Sequence, residues 1–102
     1  MATYLSIYMD FLKAFRQANE LENIAETLSQ CADRETDCLG NLQTMWQGSS
    51  ANAYYEKLSR SAECNQAISE QIRHIAHTVR VIASRTYNAE REALDRARNR
   101  EY

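Results

Sequence analysis

The residues best suited to metal or acid-base chemistry are Glu70, His74 and His77. Their spacing of i, i+4 and i+7 brings them to one side of a helix, and zinc accepts carboxylate and imidazole ligands. No cysteine or further histidine stands near them, and a solvated face or a polar contact with a partner explains the same spacing. The sequence also lacks a glycine-rich elbow or phosphate loop that would position a nucleophile or a nucleotide. It therefore predicts no enzyme, no metal site and no cofactor.

Three cysteines are the other reactive groups, and their odd number does not by itself indicate a disulfide framework. Cys31 and Cys38 are seven residues apart and share a helical face, whereas Cys64 lies in the second half of the chain. Free cysteines pack as small hydrophobic residues. If the chain reverses between residues 47 and 48, the numbers of facing residues total about 95, which places Cys31 opposite Cys64. The alternative is therefore a disulfide between Cys31 and Cys64, formed in an oxidising exterior with Cys38 left over.

Helices must carry these groups, because the chain of 102 residues has no proline and only two glycines. A fold of short strands and tight turns would use about five prolines and seven glycines at this length. Apolar or small residues instead recur every three or four positions, as in a helix that buries one face. The first stripe is Tyr8, Phe11, Phe15, Ala18, Leu21, Ala25, Leu28, Ala32, Leu39, Leu42 and Trp46, interrupted by Glu35. The second stripe is Tyr54, Leu58, Ala62, Asn65, Ile68, Ile72, Ile75, Val79, Ile82 and Thr86.

The strongest break between the stripes is the segment Trp46-Gln47-Gly48-Ser49-Ser50. Gly48 can adopt a turn conformation there, and either serine can cap the helix that follows. Two long helices joined by so short a segment must fold back on each other. We predict one all-α domain over residues 1–102, an antiparallel two-helix hairpin with a W-x-G turn. Its helices span about 4–44 and about 50–97, with the turn at about 45–49 and a flexible tail at about 98–102.

A single hairpin seam leaves apolar residues uncovered, because Leu12, Ile24, Cys31 and Cys38 flank the first stripe. A second hairpin, from another copy or from another chain, would complete a four-helix bundle dimer. Residues 1–47 carry three basic and seven acidic side chains (net −4), and residues 48–102 carry nine and seven (net +2), which suits helices lying side by side. The alternatives are a monomeric hairpin with one seam, and two solvated faces whose charges differ by chance.

Charge and hydropathy argue against other partners. A formal net charge of −2 and a pI near 5.7 argue against nucleic-acid binding, which normally requires a strongly basic domain. The apolar runs are far shorter than the roughly 18–20 residues that span a bilayer, so we expect no stable membrane insertion. The segment MATYLSIYMDFLKAFR lacks a basic region and is interrupted by Asp10, so we do not expect a Sec signal peptide.

The residues around the break carry a family resemblance. A helical chain of about 100 residues with Trp46 and Gly48 in its central turn resembles the WXG100 family of small type VII secretion substrates. The flanking residues that support the resemblance are Leu39, Leu42, Ser49, Ser50, Ala51, Ala53 and Tyr54. The resemblance implies a homodimer or heterodimer exported in folded form by a Gram-positive bacterium, recognised by the membrane-anchored motor ATPase of the system. It also implies that Trp46, Gly48 and Tyr54 form a turn and recognition motif.

The chain departs from the family in one respect. Members often carry a tyrosine followed four residues later by an acid after the second helix, whereas Tyr87 is followed at that position by Arg91. Glu90 shares the helical face of Tyr87, so the pair is a candidate for a shifted export signal. Otherwise a partner chain supplies the signal, and the protein is a targeting partner or chaperone for the helical amino-terminal domain of a larger toxin. A third hypothesis, outside secretion, is a cytosolic coiled-coil adaptor.

Overall fold

The chain folds into two long helices. A computed structural model describes residues 2–100, with helix α1 at Tyr4–Met45 and helix α2 at Ser49–Arg100, and with no strand within that range. The predicted all-α class is confirmed. Helix α2 begins one residue before its predicted start and continues through residues 98–100, which we had assigned to a tail. The other two residues of that predicted tail, Glu101 and Tyr102, lie outside the described residues.

Local polar contacts explain where the helices begin. At the start of α1, the amide of Ser6 donates to Thr3 Oγ1 (3.1 Å) and the amide of Thr3 donates to Ser6 Oγ (2.8 Å), a reciprocal cap in which each side chain binds the other's backbone. Gly48 precedes α2 with a φ of 124°, a region in which a residue with a Cβ is strained. The carbonyl of Gly48 accepts from the amide of Asn52 (3.0 Å), which is the first turn of α2.

The described residues divide into two compact units, each built from a part of α1 and a part of α2. Unit 2, residues 22–73, has a seam of small side chains. Ala25, Ala32, Ala51 and Ser69 are buried, and the Ser69 hydroxyl donates to the backbone carbonyl of Ala25 (2.7 Å). Ser29 in turn donates to Gln66 (3.3 Å). The residue numbers of these two pairs total 94 and 95, close to the predicted 95, whereas those of the longer-reaching pairs Glu26–Arg73 and Glu35–Asn65 total 99 and 100.

A polar pair explains the one interruption in the first apolar stripe. Glu35 is half-buried in unit 2, and its carboxylate accepts a hydrogen bond from the amide nitrogen of Asn65 (2.6 Å). Further along the same unit, Arg73 forms an exposed ion pair with Glu26 (3.1 Å). Because Glu35 and Asn65 can satisfy each other only when they face each other, the pair favours one register of the seam over its neighbours.

Unit 1, described over residues 2–21 and 74–100, is packed by aromatic rings. The ring of Phe11 lies 4.5 Å from that of Phe15 and 5.0 Å from that of Tyr87, and Tyr8 lies 6.3 Å from Tyr87. Ile7, Ala18 and Ala76 are buried in the same unit. Across the unit, Arg80 donates to Asn19 (2.6 Å) and Tyr4 donates to Asp95 (2.5 Å), a bond that raises the pKa of the Tyr4 phenol. These contacts show that the parts of α1 and α2 in unit 1 also run antiparallel.

The predicted second stripe is only partly the buried face of α2. Leu58, Ala62, Asn65, Ile72 and Val79 are half-buried as expected, but Tyr54, Ile68, Ile75 and Ile82 are between 39% and 57% exposed. The fully buried positions of α2 are instead Ala51, Ser69 and Ala76, none of which we placed on the stripe. Small side chains allow helix backbones to approach closely, and the isoleucines are then left outside the seam.

Candidate interaction surfaces

Three aromatic rings lie together at the short segment that joins α1 to α2. Trp46 directly follows α1, and its amide donates to the carbonyl of Leu42 (2.9 Å), which continues the helical hydrogen-bonding pattern by one residue. Its ring lies 5.9 Å from that of Tyr54 and 6.0 Å from that of Tyr55, with the Tyr55 ring nearly perpendicular at 76°. We call Trp46, Tyr54 and Tyr55 the aromatic cluster. Trp46 and Tyr54 are 41% and 45% exposed, so a partner can reach both.

In the structure two-fifths of Trp46 is exposed, and the adjoining Met45 is 76% exposed. Large apolar groups with this exposure are typical of contact sites, where aromatic residues contribute a large share of the binding energy. Trp46 therefore has the geometry of an interaction residue and only a partial role in packing.

Tyr55 is a member of the cluster that the sequence did not indicate. This residue is half-buried, and its hydroxyl donates to the carbonyl of Leu42 (2.8 Å) and also contacts the carbonyl of Trp46. We had named Tyr54, whose ring contacts Trp46 on the exposed side. The signal that could have found Tyr55 is its spacing of four residues from Ala51, which places it on the face of α2 that packs against α1.

A second candidate surface is an apolar groove in unit 1. It has a volume of about 260 Å³, and among the residues that line it are Ile7, Phe11, Val79, Ile82 and Tyr87. Asp10 and Glu90 add two carboxylates to the lining. The candidate signal residues Tyr87 and Glu90 thus lie at the same groove. The Tyr87 ring is half-buried against Tyr8 and Phe11, whereas Glu90 is exposed.

None of the cysteines or candidate metal ligands belongs to the aromatic cluster or to the lining of the groove. All three cysteines are free, with Cys31 half-buried and Cys38 and Cys64 exposed. A disulfide between Cys31 and Cys64 stays a prediction; their residue numbers total 95, as do those of the hydrogen-bonded pair Ser29 and Gln66.

Glu70, His74 and His77 are exposed. Across residues 2–100 no group of three or more His, Cys, Asp or Glu side chains is arranged to hold a metal ion. Neither helix, over its described length, contains a segment that is long and apolar enough to cross a membrane.

Comparison with known proteins does not extend the family resemblance. No protein-family model, no curated protein and no solved structure matches the chain. The resemblance to the WXG100 family therefore depends on the residues around Trp46 and Gly48 and on the helical periodicity, and the function that it implies is a proposal.

Proposed function

We propose that this chain is a non-enzymatic interaction protein similar to WXG100 substrates, exported as a folded helical dimer by a type VII secretion system and recognised by its motor ATPase. The observation that carries the proposal is the exposure of Trp46 and Tyr54 in the aromatic cluster at the end of α1 and the start of α2. Trp46 lies there two residues before Gly48, and the φ of 124° at Gly48 would strain any residue that carries a Cβ. An exposed tryptophan in a short interhelix segment, beside an exposed tyrosine of α2, fits recognition better than it fits packing.

Exposed apolar residues support the dimer. In unit 1, Leu5 is 68% exposed, Met9 and Ile75 are each 51% exposed and Ile82 is 57% exposed. In unit 2, Ile24 is 51% exposed beside the fully buried Ala25. Single exposed hydrophobic residues are normal, but so many in one small chain favour a partner surface. Full burial of a fully exposed side chain contributes roughly 1.5–3 kcal/mol, so covering the exposed half to two-thirds of each of these side chains would contribute roughly 1–2 kcal/mol.

The second candidate function is a targeting partner or chaperone for a larger type VII toxin. The packing of Tyr87 favours it, because a ring held against Tyr8 and Phe11 is not free to act as a signal in an extended tail. In that case the partner chain supplies the export signal, and this chain supplies half of the bundle.

Light scattering on the purified chain separates these candidates. A mass of two chains or more for the protein alone supports a self-sufficient dimer, whereas a monomer that doubles its mass only on addition of a toxin amino-terminal domain supports the chaperone. A stable monomer that associates with neither itself nor such a domain would contradict both.

Export itself is tested in a Gram-positive bacterium with a type VII system, using a matched strain that lacks the motor ATPase. We expect the chain in the culture medium of the first strain only, with a cytosolic marker protein as the control for lysis. Retention of the chain inside cells that export other substrates of the system would favour the cytosolic adaptor.

A further inference from the structure

The end of α1 lacks the usual stabilising groups of a helix C-terminus. The last carbonyls of a helix have no partner within the helix, and they are commonly satisfied by a glycine directly after the helix or by basic side chains in the last turn. The last turn of α1 contains no basic residue, and Gly48 comes three residues after Met45. The carbonyl of Leu42 in this turn accepts from the amide of Trp46, and a further group, from α2, also binds it.

Tyr55 supplies that group. Its hydroxyl donates to the carbonyl of Leu42 (2.8 Å), in the last turn of α1, and contacts the carbonyl of Trp46, the first residue after the helix. Its ring lies edge-on to the indole at 6.0 Å. Tyr55 thus contacts both the backbone and the side chain of Trp46, and it does so from α2, one helical turn after the fully buried Ala51.

We propose that Tyr55 is a positioning residue that holds the Trp46 indole in the orientation its partner recognises. This inference rests on the proposed role of Trp46 in recognition. A side chain that is already ordered loses less conformational freedom on binding, so a preorganised Trp46 binds more tightly than a mobile one. Tyr54 contacts the same indole through its ring, whereas the hydroxyl of Tyr55 also binds the backbone of Trp46. The hydroxyl of Tyr55 is therefore the group that distinguishes positioning from simple packing.

The test compares Tyr55→Phe with Tyr54→Phe in the full chain. Both changes keep an aromatic ring, but only the first removes the hydrogen bonds to the end of α1. Trp46 is the only tryptophan, so its fluorescence reports this site alone. The loss of one hydrogen bond of ordinary net strength changes an equilibrium constant by about fivefold. We therefore expect Tyr55→Phe to raise the ratio of mobile to held conformations of the Trp46 side chain by about fivefold. Acrylamide quenching should rise and the near-ultraviolet circular dichroism of the indole should fall, with the far-ultraviolet helix signal retained.

Export of the same variants completes the design. We expect Tyr55→Phe to reduce export and Tyr54→Phe to leave Trp46 quenching unchanged. If quenching is unchanged in Tyr55→Phe, or rises equally in both variants, the inference about Tyr55 is overturned. If quenching rises in Tyr55→Phe alone while export is normal, Tyr55 does position Trp46 and the proposed recognition role of Trp46 fails. Should Tyr55→Phe lose helix signal, the quenching comparison is repeated in sucrose, which favours the compact state without replacing the hydroxyl.

Discussion

Replacement of Trp46 by alanine separates its part in stability from its part in recognition. Truncation of a fully buried tryptophan typically costs about 3–5 kcal/mol. Trp46 is 41% exposed, so a little under three-fifths of its surface is buried in the folded chain. Scaling the cost by the buried fraction gives a loss of about 2–3 kcal/mol in the free energy of unfolding. Most domains of this size have about 5–15 kcal/mol of stability, so the variant should remain folded.

Thermal and urea unfolding followed by circular dichroism measure this loss. A decrease of 2–3 kcal/mol should lower the midpoint of thermal unfolding by roughly 10–20 °C in a chain of about 100 residues. The helix content at low temperature should be close to that of the parent chain, because Trp46 lies outside both helices. Export, measured below the unfolding midpoint of the variant, should nevertheless be lost or strongly reduced.

The matched control is Met45→Ala, which truncates a neighbouring apolar side chain that is 76% exposed. We expect it to change the unfolding midpoint by much less than Trp46→Ala does. Normal export of a folded Trp46→Ala protein would show that the W-x-G resemblance does not carry function in this chain. A loss of stability near 5 kcal/mol would show that the indole is more deeply buried in solution than in the structure.

Three further predictions concern the seam, the interhelix segment and the exposed isoleucines. Ser69→Ala removes one hydrogen bond and should lower the free energy of unfolding by only about 0.5–1.5 kcal/mol. Ser69→Leu should lower it by at least about 1–3 kcal/mol, because the larger side chain overpacks the fully buried contact with Ala25. Urea unfolding of both variants measures the difference. Gly48→Ala should lower the free energy of unfolding by about 1–3 kcal/mol through backbone strain alone, because the added Cβ meets no neighbouring atom within 4 Å. An unchanged midpoint of thermal unfolding would contradict the φ of 124°. Ile75→Glu with Ile82→Glu should convert a dimer to a monomer in light scattering without loss of helix signal, and a persistent dimer would place the partner on another face.

Much of the fold could be predicted from local sequence. The absence of proline, the scarcity of glycine and the spacing of apolar residues every three or four positions are properties of the chain itself, and they predict two helices within a few residues of their observed ends. The turn at Gly48 was also predictable from local sequence, because the backbone conformation that Gly48 adopts is accessible to glycine and strained for other residues. The position of that glycine predicted the antiparallel direction and a register near 95, and the contacting pairs have residue numbers that total between 94 for Ala25–Ser69 and 100 for Glu35–Asn65.

The choice of buried face was decided by tertiary structure. Periodicity places Ile68 and Ser69 one residue apart, about 100° around the helix, and hydrophobicity alone favours the isoleucine for burial. The structure buries Ser69 and exposes Ile68, because small side chains let the two helices approach and a buried hydroxyl finds a carbonyl partner in Ala25. The same rotation of α2 turns Tyr55, and not Tyr54, toward the end of α1. Sequence by itself determined that helices form and where they end, because those are local properties of the backbone. Which side of each helix is covered depends on the helix packed against it, so only the tertiary structure could decide it.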